Sequence, residues 1–526
     1  MLDSSTFFSY NATMRFPLVW ATVLSAVAVF LAQPNDFLLA GNPFLGLVGY
    51  VPFFWALRRA ATNRAASGLG AIFGLLTILL QNYWLAFFQD YAAWTLGGVA
   101  LAFAGYCALL GPVVRTLLRR RWVGRPFAVG AVWVVFEFCK GNGFLGFPWG
   151  LTPYPFHQWP WFIQIVDVAG LSFLTLLIVS WNAWLAEALE DNGYFRPATG
   201  VFFAVVLVGL AGYGTWRLVE PRPSRGTVEI ALVQQNADPW NTHDDLSPLR
   251  TSVKQSLEAL RTNDLDLIVW SETSLRLPLQ YYRPYYERNP PEAPLLKTIR
   301  ANNAWWLLGN PYAQDPEKES GWVNATVLMN PQGQIVDYYG KIQQVPFAEY
   351  VPFWEVPAVK SFFQSVVGLS GSWELGRQWT VFKIPVAGKA KSLSFSTPIC
   401  FEDAFPWLDS LLVRQGAEVL INLTNDSWSR RDSSQIQHHV AALFRAVENR
   451  VFLVRSSNAG VTSVIDPTGQ IVAGPLPSFQ EARLVYNLPL PAKRSLTAYA
   501  VLGDWLVYVL AALLVGDLFL QKRRRS

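Results

Sequence analysis

Leu393-Ser394-Phe395-Ser396-Thr397-Pro398-Ile399-Cys400-Phe401-Glu402-Asp403 is a β-rich run that stops at a thiol followed by two acidic residues. Two other runs stop in the same way. Leu267-Ile268-Val269-Trp270 leads into Ser271-Glu272-Thr273, and Val336–Tyr339 leads into Gly340-Lys341. In open α/β sheets the carboxyl ends of strands are where active sites gather. A carboxylate, an amine and a thiol brought together there have the makings of a covalent-catalysis site. Taken singly, Glu272 reads as a solvated strand-end acid, Lys341 as a turn lysine and Cys400 as an inert core cysteine. Their order and shared placement carry the reading.

The surrounding stretch, about 225–490, alternates short β-rich runs with helical patterns. Strands are expected at Val228–Gln235, Leu265–Trp270, Trp305–Asn310, Trp322–Met329, Ser392–Ile399, Glu418–Leu423 and Val451–Arg455. Helices are expected at Pro248–Thr262, Ala404–Gln415 and Ser433–Asn449. Turn signals at Asn330-Pro331-Gln332-Gly333 and Asp466-Pro467-Thr468-Gly469 separate strand pairs. Interleaved strands and helices on this scale predict a single α/β domain.

The rest of the chain is of another kind. Over the 526 residues 52% are hydrophobic and only 15% charged, with a mean hydropathy of +0.23, so part of the chain is expected in lipid. The 23 tryptophans fit rings at membrane interfaces. Apolar segments lie near 16–32, 37–57, 67–88, 92–114, 126–139, 161–186 and 198–218, with a further one near 499–520; most approach the roughly 20 residues a spanning helix needs. The fifth is short and ends at Glu137, and Glu137 and Asp167 are the main charges inside these helices. Residues 1–220 thus read as a bundle of seven membrane helices, 225–490 as the α/β domain, and 495–526 as a last membrane helix with a basic tail. The first segment lacks a good cleavage site at Phe30 and Ala32 and reads as an anchor.

Basic residues set the orientation. Arg58, Arg59 and Arg64 follow the second segment; Arg115, Arg119, Arg120, Arg121 and Arg125 follow the fourth; Lys522, Arg523, Arg524 and Arg525 form the tail. In the loop after the sixth, Arg196 is outnumbered by Glu187, Glu190 and Asp191, but acidic residues weigh little in the positive-inside rule. Both termini are therefore expected in the cytoplasm and the α/β domain outside it. The net charge of +5 and pI near 9.0 reflect this topology and not nucleic-acid binding. Of three cysteines, Cys107 and Cys139 fall in apolar runs and read as small buried hydrophobes. Neither the cysteines nor His157, His243, His438 and His439 show metal-ligand spacing, so no metal is expected.

Glu272, Lys341 and Cys400, each at a strand end in a domain of this size, resemble the nitrilase superfamily. Val345-Pro346-Phe347-Ala348-Glu349-Tyr350-Val351-Pro352 is similar to a segment of the apolipoprotein N-acyltransferases within it. So are Asn422-Leu423-Thr424-Asn425-Asp426-Ser427-Trp428 and Arg455-Ser456-Ser457-Asn458-Ala459-Gly460-Val461-Thr462, as is a nitrilase-like domain set between seven membrane helices and one. Phe401 stands where that family often has Tyr, and Ser429 where an aromatic is common. The resemblance implies an α-β-β-α sandwich beside the helical bundle, in a bacterial inner membrane with the sandwich on the periplasmic side. It implies Cys400 as nucleophile, Glu272 as general base and Lys341 as oxyanion stabiliser, with the Phe401 amide as a second oxyanion donor. Glu349 and Glu402 would orient or polarise these groups, and Trp240 aligns with a substrate-site tryptophan. The implied reaction moves an acyl chain from a phospholipid, through a Cys400 thioester, to the N-terminal amine of a diacylated apolipoprotein. It requires no cofactor. Nothing points to an obligate partner chain, so a monomer is expected.

Two other readings compete. A membrane-tethered amidase acting on a small C–N substrate would use the same three groups, yet eight helices exceed what a tether needs. A transporter or receptor would need a polar path through helices that hold few charges. A reporter active only outside the cytoplasm is expected to be active when fused within 225–490 and silent after Ser526. Activity at the C-terminus would overturn the topology.

Overall fold

β-Strand and helix signals sort the chain into two units of different physics. The computed structural model describes residues 4–88, 92–120, 122–143, 145–189, 197–241, 243–367, 371–386 and 392–525. One unit comprises Met1–Trp216 with Asp504–Ser526, the other Arg217–Gly503.

The first unit is helical. Asn63–Gln81, Trp94–Leu118, Val166–Ala188 and Pro197–Val219 are long and apolar enough to cross a membrane, and Phe16–Ala32 and Trp505–Gln521 are shorter apolar helices. The apolar run at 37–57 is not one helix. The Asn42 side chain accepts from the Phe44 and Leu45 amides and starts a short helix, Pro43–Gly46. Pro52 then opens a second, Val51–Arg59. Prolines are tolerated in a first helical turn, where no intrahelical N–H bond is lost. The expected sixth span carries a break at Gly170, whose φ of 63° leaves the helical region. Glu137, on Arg125–Gly141, is buried and accepts from the Thr152 amide and hydroxyl and from the Thr175 hydroxyl at 2.8–2.9 Å. Asp167 accepts from Tyr213 at 2.8 Å. Cys107 is buried as expected, but Cys139 is exposed, because it falls on the outward face of its helix. Arg121, Glu190, Asp191 and Arg196 lie outside the described residues.

The second unit is built on two six-stranded sheets. The strands are β1 (Ser224–Gln234), β2 (Leu267–Val269), β3 (Trp305–Asp315), β4 (Ser320–Met329), β5 (Ile335–Gly340), β6 (Phe382–Pro385), β7 (Ser392–Ser396), β8 (Val419–Thr424), β9 (Phe452–Ser457), β10 (Ser463–Ile465), β11 (Ile471–Ala473) and β12 (Ala482–Pro491). One sheet runs β12-β1-β2-β3-β4-β5 and the other β11-β10-β9-β8-β7-β6. In each sheet the central strands are parallel and largely buried, with apolar runs such as Leu267–Val269, as strands covered on both faces require. The sheets meet at β1 and β9; helix Leu246–Leu260 covers β1 and β12, while Pro406–Gln415 and Asp432–Asn449 cover β8 and β9. Both anticipated hairpins form, β4–β5 over Asn330–Gly333 and β10–β11 over Asp466–Gly469.

Two glycines let the strand ends approach. A Cβ on Gly309 in β3 would lie 2.4 Å from the Ser271 carbonyl oxygen and 2.5 Å from the Thr273 nitrogen. One on Gly376 would lie 1.9 Å from the Gly340 carbonyl oxygen, beside Lys341. Gly309→Ala is therefore expected to destabilise this unit by roughly 1–3 kcal/mol through overpacking and to displace the Glu272 turn. A lowered thermal midpoint together with slowed catalysis would check it; an unchanged protein would refute it.

Candidate active site

Strand ends from both sheets supply the groups. Glu272 follows β2, Lys341 follows β5 and Cys400 follows β7 on a 3₁₀ turn, Cys400–Ala404. Lys341 is fully buried and Glu272 is 5% exposed. Lys341 Nζ lies 3.2 Å from Glu272 Oε1 and 2.7 Å from Glu349 Oε1. Asn324 Nδ2 donates to Glu272 Oε1 and the Asn425 amide to Oε2, each at 2.8 Å. The Cys400 thiol lies close enough to the Glu272 carboxylate to lower its pKa. Glu349 Oε2 accepts from the Val345 amide at 2.9 Å, closing the loop that carries it.

Burial raises the Glu272 carboxyl above its ordinary range; Lys341 pulls it down and the Glu349 charge pushes it up. Burial works against the Lys341 ammonium, yet Glu272 and Glu349 together hold its pKa well above the usual value. The thiol departs from the simplest expectation. Lys341 does favour the thiolate, but burial and the Glu272 charge outweigh it, and Cys400 is held well above the ordinary thiol range. The resting thiol is protonated and rests against a base able to take that proton.

Glu402, fully buried, ties the turn that carries Cys400 to the loop after Lys341. Its Oε1 accepts from the Ile342 and Gln343 amides at 2.6 and 2.9 Å, and its Oε2 from the Ile399 amide at 2.7 Å and the Tyr339 hydroxyl at 3.1 Å. Burial lifts its carboxyl to about 7 in spite of these donors. Phe401 buries its ring against Phe405, 4.9 Å between centroids. Trp240 is half-buried on the loop after β1, which the Asn458 side chain anchors at Ala237 and joins to Asn425.

Several groups at the site were not singled out from sequence. Asp403, Asp426, His438 and Arg455 form a buried ion cluster on the other side of Cys400. Asp426 and Arg455 fall inside the stretches quoted above; His438 sits on a helix with no local sign of its partners. One atom each of Cys400, Asp426 and His438 lie within 4.8 Å of one another, a spacing that can hold a metal ion. Carboxylate oxygens face both ring nitrogens of His438, at 2.7 and 2.8 Å. An imidazole protonated on both nitrogens has no lone pair to give a metal.

The family model described as "Apolipoprotein N-acyltransferase N-terminal domain" matches residues 25–184, and that described as "Carbon-nitrogen hydrolase" matches 229–496. Apolipoprotein N-acyltransferase 2 of Treponema denticola is 36% identical over 97% of this chain and 99% of its own length. The chain belongs to the apolipoprotein N-acyltransferase family. Apolipoprotein N-acyltransferase 2 of Treponema pallidum is 37% identical over 95% of this chain and 94% of its own, and the Borreliella burgdorferi apolipoprotein N-acyltransferase 29% over 92% of each. This chain combines an apolar helical part with a carbon-nitrogen hydrolase domain.

A base must be ionised to accept a proton, so the acid limb of the acyl-transfer rate is expected above the ordinary glutamate pKa of about 4.3. Glu349→Gln removes a charge that raises Glu272 and is expected to move that limb to lower pH. A limb that stays in place would separate Glu349 from Glu272.

Proposed function

We propose that this enzyme moves an acyl chain from a membrane phospholipid to the α-amino group of a diacylglyceryl-cysteine at the N-terminus of an apolipoprotein. The observation that carries the mechanism is the buried Lys341 ammonium 3.2 Å from the Glu272 carboxylate, with the Cys400 thiol beside that carboxylate. Glu272 takes the thiol proton as sulfur attacks the ester carbonyl. Two of the three Lys341 N–H donors face carboxylates, which leaves one for the oxyanion. Collapse expels the lysophospholipid alkoxide, which takes the proton back from Glu272, and a thioester remains on Cys400. The lipoprotein amine then attacks the thioester, Glu272 accepts the amine proton, and the thiol is regenerated as the amide forms. The Phe401 amide is the second oxyanion donor on this reading, Glu349 and Glu402 orient the charged groups, and Trp240 contacts substrate.

Both substrates are held in lipid, which gives the helices their purpose. We assign eight membrane spans, seven within 1–220 and one within 495–526, with 225–490 on the periplasmic side of the inner membrane and the enzyme acting as a monomer. The helix breaks at Asn42 and Gly170 fall within two of these spans. Breaks at membrane depth are tolerated where protein buries the freed backbone groups.

Incubation with phospholipid alone, followed by peptide mass spectrometry, is expected to place one acyl group on Cys400. Cys400→Ser is expected to give no adduct and no product. Lys341→Ala is expected to slow adduct formation about 100- to 1000-fold, the usual cost of one oxyanion donor. Normal transfer by Cys400→Ser would overturn the mechanism, and hydrolysis without transfer to an amine would favour an amidase.

A further inference from the structure

The buried ion cluster beside Cys400 has no part in the chemistry above. His438, on helix Asp432–Asn449, is 3% exposed. Its Nδ1–H donates to Asp426 Oδ1 at 2.7 Å, and its Nε2–H donates to the Cys400 carbonyl at 3.2 Å with Asp403 Oδ1 2.8 Å from the same nitrogen. Arg455, fully buried, pairs with the second oxygens of the same two carboxylates. Two cations and two anions therefore balance, but only while the imidazole carries both protons.

The cluster bears on Cys400 in two ways. Cys400 has φ of 51°, the left-handed region that non-glycine residues seldom occupy. Its carbonyl is held there by two side-chain donors, Asn422 Nδ2 and His438 Nε2, each at 3.2 Å. Its sulfur also lies within 4.8 Å of an Asp426 oxygen, a negative charge that opposes thiolate formation. A ring nitrogen of His438 also lies within 4.8 Å of the sulfur and of that oxygen.

We propose that His438 is a positioning residue for the nucleophile: it holds the Cys400 main chain in its left-handed turn, and its positive charge offsets Asp426 as the thiolate develops. The inference rests on Cys400 being the nucleophile. The charged and titratable groups facing His438 are Asp403 and Cys400 from the 3₁₀ turn, Asp426 from the loop after β8 and Arg455 from β9. Burial and the Arg455 charge oppose protonation of His438, but Asp426 and Asp403 raise it to about 9. The offset is thus present below about pH 9 and lost as pH rises through that value.

The test is single-turnover acylation of the purified full-length enzyme by a fluorescent-acyl phosphatidylethanolamine, across pH, reading both the rate constant and the fraction acylated. The wild-type rate constant is expected to decline on the basic side near pH 9. His438→Gln is expected to acylate about tenfold or more slowly at neutral pH, equivalent to one unit of thiol ionisation, and to lack that decline. An unchanged rate constant and profile, or a smaller acylated fraction at an unchanged rate constant, would reduce His438 to a structural part and overturn the proposal. Should His438→Gln fail to fold, the wild type still decides. With carbon-13 histidine labelling, and the other three histidines assigned by substitution, the His438 resonance is expected to stay that of an imidazolium to about pH 9. Titration near the ordinary 6.5 would overturn it. A wild type that acylates somewhere other than Cys400 would instead remove the nucleophile reading beneath it.

Discussion

Lys341 places its ammonium in complete burial, 3.2 Å from one carboxylate and 2.7 Å from another. A charge taken out of water costs several kcal/mol unless partners replace its hydration, and breaking such a pair by removing one member typically costs about 3–5 kcal/mol. The three residues come from the end of β2, the end of β5 and the loop that follows, so those segments must converge for the ammonium to be tolerated. Much of the local design serves this convergence. Gly309 and Gly376 remove the Cβ atoms that would keep the backbones apart, and Asn324 in β4 donates to the same Glu272 oxygen that faces Lys341. The charge count also explains the Glu272 carboxyl: two acids share one ammonium in a buried space, and burial with the second acid's charge lifts the first.

The same constraint joins the two sheets. Glu272, Asn324 and Lys341 come from the sheet containing β2, β4 and β5; Cys400, Asn425, Asp426 and Arg455 come from the sheet containing β7, β8 and β9. The Asn425 amide reaches across to Glu272 Oε2, and Glu402 reaches across to the Ile342 and Gln343 amides. Ser456 in β9 donates to the Val269 carbonyl at the end of β2, 3.3 Å away. None of these contacts exists within a single sheet. The Cys400 thiol meets the Glu272 carboxylate only when the sheets are stacked, so the site depends on the packing of the whole unit.

What could be read in the sequence follows the range of the interactions. The ends of β2, β5 and β7 are marked by residues next to one another, an apolar run and then a charged or thiol group, and all three were legible. β12 was not. Ala482–Pro491 carries Pro489 and Pro491, which a central strand rejects, but it is an edge strand paired antiparallel with β1, where a missing N–H costs little. The run at 37–57 is apolar enough to span, and only the cap at Asn42 and the proline that follows it reveal the break. His438 reads as one polar residue on a helix. Its partners come from the 3₁₀ turn and the loop after β8, and only the fold brings them together. The thiol's protonation depends on the fold for a related reason. A lysine nearby suggests a thiolate, and only burial and the facing Glu272 charge show which effect wins.

The protonated resting thiol suits the proposed reaction, whose first substrate is a lipid ester. A standing thiolate would be open to oxidation and to stray electrophiles between encounters, since susceptibility follows thiolate character. A protonated thiol beside a base becomes nucleophilic only as it transfers its proton, which ties activation to the presence of an acceptor carbonyl. The raised Glu272 carboxyl then fits both halves of the proposed reaction. An ordinary glutamate would be a weak base and would hold the proton poorly; a raised one accepts it readily and, once protonated, is an acid of moderate strength beside the departing alkoxide. In the second half the same carboxylate meets an amine, whose proton it must accept as the amide bond forms. One group can serve both steps because each asks it to accept a proton and give it back, and its basicity is set by its burial with Lys341 on one side and Glu349 on the other.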